Sequence, residues 1–287
     1  MKLNLLKLGV VTMFIATAFV SCDSDEVESI VEQALTTDDV LAIEEIDAAI
    51  EDVNADVDQA FIIEEGLGSL TTKEGDNKIT PNFFPECLTK TVVIEENMKI
   101  VTLDYGDGCE IRGRFKAGII IMKYEKNKEL HTRSITITYD NYRVNRKLME
   151  GSHSVVRVKE NENGNPQSTS TFDMMVTWDS GDTATRVGQK AREMIEGADT
   201  RTWGDNVYSI TGSWETTRKN GTTVAAEVTT PLRRELACKF LVSGVIDLTK
   251  NDRHGILDFG DGECDNQATL TLDDGTVIEI TLHRKKN

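Results

Sequence analysis

From residue 81 onward, the apolar residues of this chain recur at every second position. Ile135, Ile137 and Tyr139 alternate with Thr136 and Thr138, and Ile278, Ile280 and Leu282 alternate with Glu279 and Thr281. Only a strand puts alternate side chains on one face, so these runs read as half-buried strands. Asn163-Gly164, Asn220-Gly221 and Asp274-Gly275 lie between such runs, and these dipeptides favour the left-handed turns of tight hairpins. Roughly a dozen short strands with frequent turn signals predict a mainly β body, built as an antiparallel meander, a sandwich or a partly closed barrel. Thr183–Ala198 reads equally as strand or helix.

The body also repeats itself. Cys87 is followed by Val101-Thr102-Leu103-Asp104-Tyr105-Gly106-Asp107-Gly108-Cys109. Cys238 is followed by Ile256-Leu257-Asp258-Phe259-Gly260-Asp261-Gly262-Glu263-Cys264. Each copy is a cysteine, a hairpin, an Asp-aromatic-Gly-Asp-Gly block and a second cysteine. A fainter echo pairs Asp140-Asn141-Tyr142 and Gly151-Ser152 with Asp205-Asn206-Val207 and Gly212-Ser213. A duplicated β unit accounts for all of these matches. The repeat favours disulfides Cys87–Cys109 and Cys238–Cys264, although Cys87–Cys238 with Cys109–Cys264 also respects it. A zinc site has no Cys-x-x-Cys pair or histidine cluster to support it.

The glycine-rich blocks carry a second question. Asp104 with Asp107, and Asp258 with Asp261, offer the hard oxygen atoms that calcium prefers, but the EF-hand spacing is absent. They are weak metal candidates. The plainer reading is a tight turn, with glycines at positive φ and aspartates capping the backbone. The five-residue block resembles the Phe-Gly-Asp-Gly signature of PKD-type β-sandwich modules, without the strand pattern that follows it there.

Upstream of the body the period becomes helical. Ile43, Ile46, Ile50, Val53, Val57 and Phe61 recur at spacings of three and four, behind Thr37-Asp38-Asp39, which suits a helix start. Glu64-Glu65-Gly66 supplies the stop, and a shorter helix is expected around Val27–Leu35. The helix reads as a stalk or partner-binding element beside an anchor, or as a cap packed on the β body. Residues 69–81 read as a linker.

The formal net charge is −17, and residues 23–80 carry −16 of it, with 18 acids and two bases. The rest of the chain is near neutral. Nothing here offers the basic patch that nucleic acid requires. The acids read as a means of keeping a neck solvated.

Met1–Cys22 has the form of an export signal. Lys2 and Lys7 precede an apolar run, Leu8–Val20, of 13 residues, shorter than the roughly 20 needed to cross a bilayer. The run ends in Ala18-Phe19-Val20-Ser21-Cys22, which resembles the lipobox of bacterial lipoproteins. Asp23-Ser24-Asp25-Glu26 then resembles the acidic stretch of surface-exported lipoproteins of Bacteroidota-type bacteria. The resemblance implies that Cys22 is acylated (with palmitate among its chains) and inserts in the bilayer. It implies an outer-membrane lipoprotein, at the cell surface rather than facing the periplasm, although an aspartate directly after the cysteine also resembles the inner-membrane retention signal of enterobacterial lipoproteins. It carries no activity with it. The chain thus divides into a signal peptide (1–21), an acidic helical neck and linker (22–80), and a duplicated, disulfide-stapled β domain (81–287).

Catalytic signatures are lacking. His131, His153, His254 and His283 lie on or beside predicted strands, with no His-Glu-x-x-His or Gly-x-Ser-x-Gly motif. Asp182-Thr183-Ala184 resembles a Bacteroidota-type O-glycosylation site, though an exposed turn explains it as well. The expectation is a non-enzymatic binding or structural lipoprotein without cofactor, with a protein or glycan of the envelope as partner. The alternatives are a lipid or lipoprotein carrier with an apolar groove, and an envelope hydrolase.

Overall fold

The computed structural model describes residues 34–65, 84–111, 113–127, 129–200 and 203–282. The signal peptide, the lipobox with Cys22, the acidic stretch after it, most of the short helix expected around Val27–Leu35, the expected linker and His283 lie outside the described residues.

Among the described residues, one α-helix, α1 (Thr37–Glu64), precedes fourteen strands: β1 (Thr89–Glu95), β2 (Met98–Asp104), β3 (Cys109–Ile111), β4 (Arg114–Glu125), β5 (Thr132–Val144), β6 (Lys147–Val158), β7 (Gln167–Thr177), β8 (Thr183–Glu196), β9 (Val207–Arg218), β10 (Thr223–Glu235), β11 (Ser243–Lys250), β12 (Arg253–Asp261), β13 (Gln267–Leu272) and β14 (Val277–Thr281). All pair antiparallel in one sheet, each with its sequence neighbours, except that β3 pairs only β4 and so β2 also pairs β4. The sheet is an open meander, with β1 and β14 at its edges, and does not close into a barrel. Thr183–Ala198 resolves as β8, because its even positions Ala184, Arg186, Lys190, Arg192 and Met194 all face inward.

The turns refine the sequence reading. Gly164, Gly221 and Gly275 have φ of +79°, +86° and +83°, while the Asn or Asp before each does not adopt positive φ. Each glycine N–H donates to the carbonyl three residues back, giving a turn with one left-handed glycine rather than two left-handed residues. The two-residue turns with both residues left-handed are instead Asn145-Arg146 and Asn251-Asp252, where neither residue is glycine.

The ladders of the long strands are interrupted. Register slips between Ala117 and Ile119 on β4, Ile137 and Arg143 on β5, Met194 and Glu196 on β8, and Glu227 and Leu232 on β10. The fainter sequence echo falls on such places. Gly151 and Gly212 lie mid-strand at φ +118° and +143°, and a Cβ on either would stand 2.2 Å from the neighbouring strand's carbonyl oxygen. Only glycine fits these close approaches.

Helix α1 starts at a reciprocal capping box. The Asp39 N–H donates to Thr36 Oγ1 (3.2 Å), and the Thr36 N–H donates back to Asp39 Oδ2 (3.1 Å). Its apolar stripe is buried against the inward residues of the sheet, among them Val101, Leu103, Ile120, Met122, Ile137, Phe172, Ile246 and Leu257. Burial goes well beyond that stripe. Asp39, Asp47, Asn54, Asp56, Asp58 and Gln59 are buried too. A helix covered this widely is an interior element, and it belongs with the sheet to one compact unit beginning at Ala34.

Candidate functional site

The helix acids do not solvate a neck. They meet a basic lining on the inner face of the sheet. Asp39 accepts from Lys250 (2.8 Å) and Arg218 (3.1 Å), and Asp47 from Lys190 (2.8 Å) and Arg186. Asp52 pairs with Arg114 (3.1 Å), Asp56 with Lys116, and Asp58 with Arg157 and Arg192. At the helix end, Glu65 accepts from Lys99 (3.0 Å) and Arg133 (2.9 Å), and Glu64 from Lys90. Bases on strands from β1 to β11 therefore grip one helix that contains no Lys or Arg. Burying each charge alone would cost several kcal/mol, so the pairing is what permits the burial. Arg186 is the extreme case. It is 0% exposed, stacks over Trp214, and also donates to Thr216 Oγ1 (3.0 Å) and the Ile43 carbonyl (3.2 Å).

The near-neutral balance of the β body is therefore segregated by face. One signal for this was present in the sequence. On β8 the bases Arg186, Lys190 and Arg192 fall at even positions with Ala184 and Met194, in register with the core rather than against it.

A polar network lies beside the ion pairs. The Tyr105 hydroxyl donates to Asp56 Oδ2 (2.6 Å), and Ser170 Oγ to Asn54 Oδ1 (3.0 Å). Burial, followed by the nearby Asp56, pushes the Tyr105 phenol well above its usual pKa. His153 bonds Tyr139 through Nδ1 (2.8 Å), and burial pulls its pKa from 6.5 down to about 4, so the ring is neutral. Its Nε2, the Tyr142 hydroxyl and Asn54 Nδ2 have no hydrogen-bond partner among the described residues. These atoms sit where the helix covers the sheet.

The cysteines pair as Cys87–Cys109 and Cys238–Cys264, each enclosing one hairpin, β1–β2 and β11–β12. The repeated blocks share one aspartate cap. Asp104 Oδ1 accepts from the Gly106 N–H (2.8 Å), and Asp258 Oδ1 from the Gly260 N–H (2.9 Å). The aromatic residues Tyr105 and Phe259 plug the core in both copies. Asp107 and Asp261 are exposed, and among the described residues no group of three or more acids, histidines or cysteines converges to hold a metal ion.

One groove of about 430 Å³ opens on the outer face across β8–β12. Val187 and Ala225 give it apolar walls, small Ser213 leaves space, and Glu215, Glu227 and Asp247 make it acidic. Glu227 and Asp247 stand directly opposite in the β10–β11 ladder, a like-charge pair that opposes pairing. His254 completes the rim, with Nδ1 3.4 Å from Asp247 Oδ1 and 3.2 Å from Thr249 Oγ1.

That constellation does not form a nucleophilic relay. A hydroxyl and a carboxylate must engage opposite nitrogens of the imidazole, whereas Thr249 and Asp247 converge on the same Nδ1. Ser213 lies on β9, three strands from His254, roughly 14 Å at about 4.8 Å per strand. Sequence reasoning missed this groove because its residues come from five strands. No protein-family model, curated protein or solved structure matches the chain.

Proposed function

We propose that the protein is a membrane-anchored cell-envelope lipoprotein with a non-enzymatic binding or structural role. The observation that carries this reading is Ala18-Phe19-Val20-Ser21-Cys22 behind a basic, apolar leader. Acylated Cys22 would hold the chain in the outer membrane, with the body at the cell surface. Two acyl chains give stable anchoring, since each buried CH₂ contributes about 0.8 kcal/mol. The two disulfides support an oxidising compartment. The acidic outer groove is where a cationic or hydroxyl-rich envelope partner, protein or glycan, would dock.

The inner face argues against the carrier reading. It holds α1 and a lattice of buried ion pairs, which is a poor environment for an acyl chain. The hydrolase reading would need a histidine set between nucleophile and carboxylate, and His254 is not so placed.

Palmitate labelling of the wild type against Cys22→Ala tests the anchor. Label is expected on the wild type only, and equal labelling refutes lipidation. Protease added to intact cells is expected to digest the body, whereas protection would place it facing the periplasm.

A further inference from the structure

The internal duplication allows one half of the sheet to be compared with the other. Hairpin β1–β2 corresponds to β11–β12: each lies inside its own disulfide, and each leads into the Asp-aromatic-Gly-Asp-Gly block. Lys90 on β1 stands opposite Leu103, as Ile246 on β11 stands opposite the equivalent Leu257. The next inward pairs are Val92 with Val101, and Leu248 with Gly255.

The two hairpins differ in what covers them. The outer edge of β11 is paired antiparallel with β10, through Ala226–Leu248 and Val228–Ile246 among others, and Ile246 and Leu248 are 0% exposed. The corresponding edge of β1 has no strand among the described residues. Its residues are exposed on both faces: Val92 by 36% and Ile94 by 51% on the inner face, and Val93 by 46% on the outer. At the opposite edge, β14 buries Ile280 completely and exposes Val277, at its start, by 62%.

An edge of this kind is normally blunted by proline, a bulge or an unpaired inward charge. β1 has no proline and pairs with β2 over seven consecutive positions without a slip. Its one inward charge, Lys90, is neutralised by Glu64.

We propose that β1 is a dimerisation strand, pairing antiparallel with β1 of a second copy of this chain about a two-fold axis, so that the second β1 stands where β10 stands beside β11. Paired side chains must share a face, so the axis passes through a residue. Through Val92 it sets Thr89 against the partner copy's Glu95, Lys90 against Ile94, and Val92 against itself. Through Val93 it sets Thr91 against Glu95, Val92 against Ile94, and Val93 against itself. Neither register opposes like charges, and both cover the apolar residues that β1 leaves open. The strand is complementary to itself, and the two-fold contact closes at two copies.

The full chain, with Cys22→Ser to remove its thiol, would be sedimented in detergent micelles. The expected mass is two chains, falling to one in Val93→Lys. Trapping does not depend on how Val93→Lys folds. Val92→Cys or Val93→Cys, mildly oxidised, is expected to give a covalent dimer through the introduced thiol, and Val277→Cys on β14 is not. A single-chain mass at every concentration, with no trapped dimer, overturns the proposal. So does a mixture of Val93→Cys and Val277→Cys chains in which each variant cross-links only to the other, since that marks head-to-tail assembly. Neither result depends on acylation, so the test stands apart from that of the anchor.

Discussion

Removing the Asp47 carboxylate should cost far more stability than removing the arginine it binds. Asp47 is shared by Arg186 and by Lys190, and both bases are buried. Asp47→Asn leaves two buried cations without this counter-charge. Breaking a buried pair in this way costs about 3–5 kcal/mol. Arg186→Met leaves Asp47 still paired with Lys190 at 2.8 Å, and a methionine fills much of the space over Trp214. What is lost is the hydrogen bonding to Thr216 and the Ile43 carbonyl, and one of the two basic partners of Asp47. At about 1 kcal/mol for each net bond, partly offset by new apolar burial, the cost is about 1–2 kcal/mol. Equilibrium urea unfolding under non-reducing conditions, read by circular dichroism, measures both. The double variant should be less damaged than the sum of the singles, because the second change removes one of the orphaned cations. If Arg186→Met costs as much as Asp47→Asn, or Asp47→Asn costs under about 1 kcal/mol, the helix is not held by these charges as described.

Two further outcomes are expected. Stability should fall on acidification in the window set by His153: its folded pKa of about 4 lies below the 6.5 of the unfolded chain, so the contribution is complete above pH 6.5 and is lost toward pH 4. That shift corresponds to about 3 kcal/mol, and His153→Phe should flatten the stability curve there; an unchanged slope would place the titrating group elsewhere. At lower pH, Asp39 and Glu65 add to the loss: burial raises both carboxyls, but their bonds to Lys250 and to Lys99 and Arg133 outweigh it and hold them below their usual values. Replacing either cysteine pair with serines should cost about 3 kcal/mol, because the loops of 22 and 26 residues are similar in length. Urea midpoints of the two double variants check this, and a loss in only one of them would contradict equal roles for the two staples.

Much of this architecture was legible along the chain because it is written locally. Alternation at Ile135–Tyr139 marks β5, the three-and-four spacing from Ile43 to Phe61 marks α1, and the repeated cysteine blocks mark two equivalent hairpins with their staples. Strand pairing between sequence neighbours was one of three arrangements the strands and turns allowed, beside a sandwich and a partly closed barrel. The turn at Asn251-Asp252 was less visible, because neither residue is the glycine that usually announces positive φ.

What the tertiary structure decided is the meaning of the charge. Read in order, the −16 of residues 23–80 and the nearly balanced body are two separate facts. Folding brings Asp39 to Lys250, 211 positions away, and Asp47 to Arg186, 139 positions away. A charge pattern along a chain reports only which groups are present. Whether an aspartate solvates a surface or neutralises a buried arginine depends on which strand lies across from it. The packing of the sheet's inner face on α1 settles that question, and the strand order leaves β1 open where its counterpart β11 is covered.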